Sequence, residues 1–485
     1  MHTLHRTFFS TMVIAGCVII FSHSSVSAQP GEQVSTLQTQ KSVAITIYNN
    51  DLALIKDMRH IDRLPQGDFN LAWRDVSAQM RPETALLRSM THPDSITITE
   101  QNFDFDLLTP RSLLDKYVGK TVSIVSINPA TGVESKENAL VLSTSDGVVL
   151  KMADRVETGM PGRIIFDSIP HNLRDRPTLV ISGSYADNKA QDFELSYLTG
   201  GLSWKADYVA ELNEHDDRLD LSGWVTLTNT SGTSYPNATL QLVAGDVNRI
   251  QRESAASMTL RAKAMADVAA ASMQQEALME YHLYSLNRLT TIAENQTKQI
   301  ALLNATHIPV SKELVLMGSD HYYITGLGDL GQKLKVSVFL QFDNKEASQL
   351  GIPLPQGIVR VYKQDKTGNA QFVGEDHIDH TPKNEKVRLK LGQSFDVTAN
   401  KKQIDFKQLS SSVSVGRFES AYEITLKNAR KETVTVTVQE PVPGEWRILE
   451  ENFPHQKTAS NTAVWKISIP SEGETTLKYR VQAIN

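Results

Sequence analysis

Apolar and polar residues alternate with period two along most of the chain. In Leu221–Thr228, the residues Leu221, Gly223, Val225 and Leu227 share one face, opposite Ser222, Trp224, Thr226 and Thr228. Successive side chains of an extended strand point to opposite sides, so this is the pattern of a half-buried strand. The alternation recurs in Val43/Ile45/Ile47, before a turn at Asn49–Asp51, and in Leu334/Val336/Val338/Leu340 and Val387/Leu389/Leu391. Near the end come Tyr422/Ile424/Leu426, Val434/Val436/Val438, Trp465/Ile467/Ile469 and Leu477/Tyr479/Val481. Many short strands with one wet face, separated by Gly, Asn and Pro turns, predict antiparallel sandwiches rather than the doubly buried strands of a parallel sheet. The expected fold class is all-β: several antiparallel β-sandwich (Ig-like) domains.

At roughly 100–200 residues per domain, the 485 residues divide into an N-terminal β domain over 41–189, a central sandwich over 190–344 and a C-terminal sandwich over 345–485. A polar linker is expected over 29–40. One segment breaks the pattern: 253–280 is rich in Ala and Met, holds no Gly or Pro, and is made of helix formers. It is expected to be a partly helical, partly disordered insertion, with helical turns near Ala255–Gln275. Its apolar content is mostly Ala and its basic residues are few, which suits a membrane-lying helix poorly. Tyr281–Leu286 and Lys298–Leu303 then read as strands around a turn at Glu294–Gln296.

The first 28 residues read as an export signal. Arg6 lies in a short leading region, an apolar run extends from Phe8 to Phe21, and Val26-Ser27-Ala28 offers small residues for cleavage before Gln29. The run is shorter than the roughly 20 apolar residues of a membrane span, and no later segment approaches that length. Ile14-Ala15-Gly16-Cys17 has the form of a lipidation box, yet Val18–Phe21 stays apolar where a lipoprotein turns polar, so plain cleavage is the expectation. Cys17 is the only cysteine; a chain cleaved after Ala28 has no disulfide, thiolate metal site or cysteine nucleophile. The setting expected is periplasmic or secreted. A net charge of −6 without a long basic run argues against nucleic acid as a partner, because phosphate binding needs concentrated positive charge.

Catalytic motifs are scarce. Neither a His-Glu-x-x-His pair, a Gly-x-Ser-x-Gly elbow, a Ser-x-x-Lys motif nor a Walker loop occurs. Gly326-Leu327-Gly328-Asp329-Leu330-Gly331 matches Gly-x-Gly-x-x-Gly, but it leads into the alternating segment Lys333–Leu340 instead of opening a helix, so it reads as a turn between strands. The acidic run Glu211, Glu214, His215, Asp216, Asp217 and Asp220 could supply oxygen ligands for Ca²⁺, yet it sits where a hairpin must turn and lacks EF-hand spacing. The best lead is Gly374–Pro382, with Glu375, Asp376, His377, Asp379 and His380. These could bind Zn²⁺ or act as an acid–base pair. In an extended segment the two histidines diverge, and the plainer reading has Asp376 or His380 hydrogen-bonded to nearby backbone. Tryptophans in sandwiches are mostly core residues. Trp224 is the exception, lying on the polar face of its strand, where it could line an interface or bind a ligand.

Several runs also carry a resemblance. Leu198–Tyr208 through Val243–Asn248, Tyr281–Tyr284 with Asn295–Gln299, and Pro353-Leu354-Pro355 with Val359–Tyr362 and His380-Thr381-Pro382 resemble the domain-of-unknown-function family 4139. Ile47-Tyr48-Asn49 and Glu100–Leu108 are similar to segments that precede this domain in full-length members. The resemblance implies an exported bacterial protein with β-rich domains and brings no established activity or catalytic residues. A more distant likeness to mucoidy-inhibitor-type proteins implies envelope or exopolysaccharide biology; those proteins bear a coiled coil where this chain has only its Ala/Met segment. The function expected is non-enzymatic binding of an envelope protein or glycan, without a cofactor or metal. The alternatives are a periplasmic hydrolase with its site near Asp376 and His380, joined by Glu375, and an envelope assembly factor whose insertion engages a partner.

Overall fold

A computed structural model describes residues 31–170, 173–187, 189–245, 273–278, 281–323, 325–412 and 415–484. The export-signal segment with Cys17, and residues 253–272 and 279–280 of the Ala/Met segment, lie outside the described residues. Among the described residues the fold is all-β, with a single short α-helix, Pro110–Asp115. Most strand pairs are antiparallel. Among the described residues four pairings are parallel, and each joins strands distant in sequence, as a crossover requires: Glu32–Ser35 with Gly67–Arg74, Gln40–Tyr48 with Tyr235–Ala244, Leu202–Leu212 with Gly357–Gln364, and Gln296–Met317 with Val434–Pro441. No helix among the described residues is long and apolar enough to cross a membrane.

The contacts group the chain into two compact units that do not follow it in consecutive stretches. Among the described residues, one comprises 31–35, Leu64–Arg74 and 97–187, and the other Thr36–Arg63, Asp75–Ile96 and the stretch from Lys189 onward. In the first, Leu114, Tyr117, Val122, Ile124, Val141 and Leu150 form the core beneath a five-stranded sheet. The stretch 29–40, expected as a linker, instead contains the strand Glu32–Ser35. Arg174 holds it by contacting Glu32 at 2.8 Å and Asp104 at 2.8 Å.

The second unit contains the expected hairpins and extends them. Leu202–Leu212 and Arg218–Asn229 pair residue for residue, and Gly357–Gln364 and Ala370–Ile378 add to one side of them while Gln296–Met317 adds to the other. The segment Gly357–Ile378, expected in a third domain, thus lies in the sheet of the central one. On its inner face this sheet packs against Gln40–Tyr48 and Leu52–Ile61, burying Leu221, Val225, Leu227, Tyr208, Ile45 and Ile47. Each such side chain contributes about 1.5–3 kcal/mol on leaving water. The strand Met273–Leu278, within the segment expected to be partly helical, pairs with Tyr281–Leu286.

Two long strands, Gln296–Met317 and Lys386–Ser412, carry the fold onward with Asp329–Asp343 between them. Together with Val415–Asn428 and Glu474–Ile484 they enclose a second core, containing Trp465, Tyr422, Ile424, Val436, Val438 and Leu477. The expected alternation of Leu334–Leu340 holds: Val336 and Leu340 are buried, and Leu334 and Val338 pack against the second core. The register shifts beside it place their extra residues in the partner strand Lys386–Ser412. Phe339 lies on the opposite face, covered by the Arg388 guanidinium 3.6 Å from its ring centre. The Gly326–Gly331 run is a turn leading into Asp329–Asp343.

Candidate functional site

The outer face of the central sheet gathers most of the candidate chemistry. Residues opposite one another in register point to the same side. One row across the sheet therefore reads His377, Ile358, Asp207, Trp224, Ala301. The next reads Glu375, Arg360, Val209, Ser222. Beyond it, Tyr362 faces Phe372, their ring centres 5.6 Å apart and edge to face. Trp224 is 39 % exposed and Phe372 56 %. With strands about 4.8 Å apart and about 3.3 Å per residue, Trp224 stands roughly 16 Å from Tyr362 and roughly 20 Å from Phe372.

A charged network ties these rows together. Arg360 Nη1 lies 3.0 Å from Asp207 Oδ1, and Arg360 Nε lies 3.2 Å from Glu375 Oε2. The Thr226 hydroxyl donates to Asp207 Oδ2 at 2.8 Å and accepts from Gln299 Nε2 at 3.3 Å. Lys205 Nζ stands 3.6 Å from the same carboxylate. Burial pushes the Asp207 carboxyl up, but Thr226, Arg360 and Lys205 outweigh it and hold it below the usual aspartate range. Asp207 reciprocally raises the Arg360 guanidinium. The result is a polar strip of fixed donors and acceptors between exposed aromatic rings.

The other candidates are engaged separately. Asp376 accepts the backbone amides of His377 at 2.9 Å and Lys390 at 2.6 Å, pinning its strand to Lys386–Ser412. His380 Nδ1 accepts the Gln356 amide at 3.2 Å, and its Nε2 lies 3.5 Å from Asn49 Nδ2. Glu375 belongs to the Arg360 network and His377 is exposed. Glu375, Asp376 and His380 therefore do not converge. No group of three or more His, Cys, Asp and Glu among the described residues is placed to hold a metal ion. In the acidic hairpin turn, Asp216 is held by Lys312 at 2.5 Å and by Lys363. Burial raises its carboxyl, but the two ammonium groups outweigh that and keep it low. Asp220 accepts the His307 amide at 2.7 Å.

Sequence reasoning identified Trp224 and Glu375 but not Asp207, Arg360, Tyr362 or Phe372. The signal for two of them was present: Ile358/Arg360/Tyr362 alternate with Val359/Val361, which marks an outward row. What the sequence withheld is the parallel pairing that sets this row beside Leu202–Leu212. A family model described as Domain of unknown function (DUF4139) matches residues 193–484 and so spans the whole of this face. Comparison with curated proteins gives no match.

Proposed function

The chain belongs to the domain-of-unknown-function family DUF4139, and on that premise we propose that it is an exported, non-catalytic protein that binds an envelope glycan on the outer face of its central sheet. The observation that carries this reading is the exposed Trp224 sharing one face with the Tyr362–Phe372 pair, with Arg360, Asp207 and Glu375 between them. Sugars offer apolar C–H faces that pack on aromatic rings and hydroxyls that take paired donors and acceptors. Aromatic groups roughly 16–20 Å apart on an open sheet suit several linked sugars better than a single one.

The hydrolase alternative finds less support, because Asp376 and His380 spend their acceptor atoms on backbone amides. The export reading rests on the leading apolar run and on the family resemblance. Co-sedimentation of the purified protein with isolated envelope polysaccharide and with peptidoglycan tests the proposal. Retention on a glycan that falls when Trp224→Ala is introduced supports it. No retention on any glycan, together with a cross-link from position 224 to a protein in intact cells, points to a protein partner instead.

A further inference from the structure

The second core encloses an ion pair of unusual burial. Lys401 Nζ lies 2.7 Å from both Glu440 Oε1 and Oε2, and the two side chains are 2 % and 0 % exposed. The rings of Tyr322 and Tyr422 stand 4.5 and 5.0 Å from the nitrogen. The Tyr323 hydroxyl donates to Glu440 Oε2 at 2.7 Å and lies 2.9 Å from the Tyr479 hydroxyl. Gly318 closes the cage, since a Cβ there would come 2.0 Å from Oε2. Two charges removed from water lose most of their hydration, and one proton moved along the existing hydrogen bond converts them to a neutral amine and a neutral acid. Burial lowers the Lys401 ammonium below the usual lysine range, against the pull of Glu440. A lysine that gives up its proton is a nucleophile, and Lys401 Nζ is already in contact with the Glu440 carboxyl group.

We infer that Lys401 and Glu440 form an intramolecular amide bond, a covalent cross-link between the strands Lys386–Ser412 and Val434–Pro441. The ammonium gives one proton to Oε1, and the freed nitrogen lone pair attacks Cδ. Charge then develops on Oε2, where the Tyr323 hydroxyl donates with Tyr479 behind it. A second nitrogen proton passes to Oε1, the Cδ–Oε1 bond breaks, and water leaves. The third proton stays on the amide nitrogen. The reaction needs no oxidant, metal or second reactant. It supplies a staple to a chain whose only cysteine is Cys17.

Mass measurement on the denatured full-length exported protein, followed by tryptic mapping, tests the inference. A cross-linked protein is lighter than its sequence by one water, resists trypsin after Lys401, and yields a branched peptide joining Lys401 to Glu440. The Lys401→Arg protein keeps a cation but lacks the amine and regains the full mass. Cleavage after Lys401 with only linear peptides from the wild-type protein overturns the inference and leaves an ion pair. The wild-type map decides the question whether or not the variant folds.

Discussion

Trp224 stands directly opposite Asp207 in the register of Leu202–Leu212 and Arg218–Asn229, so an exposed indole lies next to a carboxylate that is only 7 % exposed. The ring gains little from this position as a core residue. The carboxylate, by contrast, is held by Arg360 and the Thr226 hydroxyl. Their division of labour separates what folds the sheet from what the sheet can bind.

Asp207→Ala removes the acceptor shared by Arg360, Thr226 and Lys205. We expect a loss of about 1–3 kcal/mol, the usual cost of leaving partly buried polar partners unmatched. Urea unfolding measures it. An unchanged midpoint would show that the network is an exposed strip with no structural weight.

Asp207 and Asp216 both have carboxyls held below the usual aspartate range. The unfolded chain therefore takes up protons at higher pH than the folded one. Their stabilisation is fully present above the unfolded aspartate value of about 3.9 and is lost as pH falls through the folded values. Thermal midpoints should stay level from neutral pH to about 5 and fall below about 4, less steeply in the Asp207→Asn/Asp216→Asn double variant. Equal steepness in the two proteins would remove these groups from the explanation.

Gly318→Ala places a methyl carbon against Glu440 Oε2 in a cage that is already full. Overpacking of this kind typically costs about 1–3 kcal/mol, and more where backbone must move. Differential scanning calorimetry should show a lowered midpoint, whereas an unaltered one would mean that the cage yields easily.

The alternation of Leu221–Leu227 and of the strands at Tyr422–Leu426, Val434–Val438 and Trp465–Ile469 was readable because period two translates directly into burial; all of those inward positions are buried. The Leu334–Leu340 pattern was readable in the same way, because the bulges beside it lie in the partner strand Lys386–Ser412. The parallel partner of Leu202–Leu212 lies about 150 positions along the chain, and no local pattern encodes that pairing. The aromatic and charged rows of the outer face become one surface only through it. Lys401 was missed for a related reason. It continues the inward row of Val397 and Ala399, where a lysine in sequence reads as a solvated position.

The most direct measurement is calorimetric titration of isolated envelope polysaccharide into the wild-type and Trp224→Ala proteins, with unfolding midpoints recorded alongside. Trp224 is part exposed, so its loss should change stability by no more than about 1 kcal/mol while weakening glycan binding at least about tenfold, or about 1.4 kcal/mol. Equal affinity in the two folded proteins would contradict the assignment of this face as the binding surface.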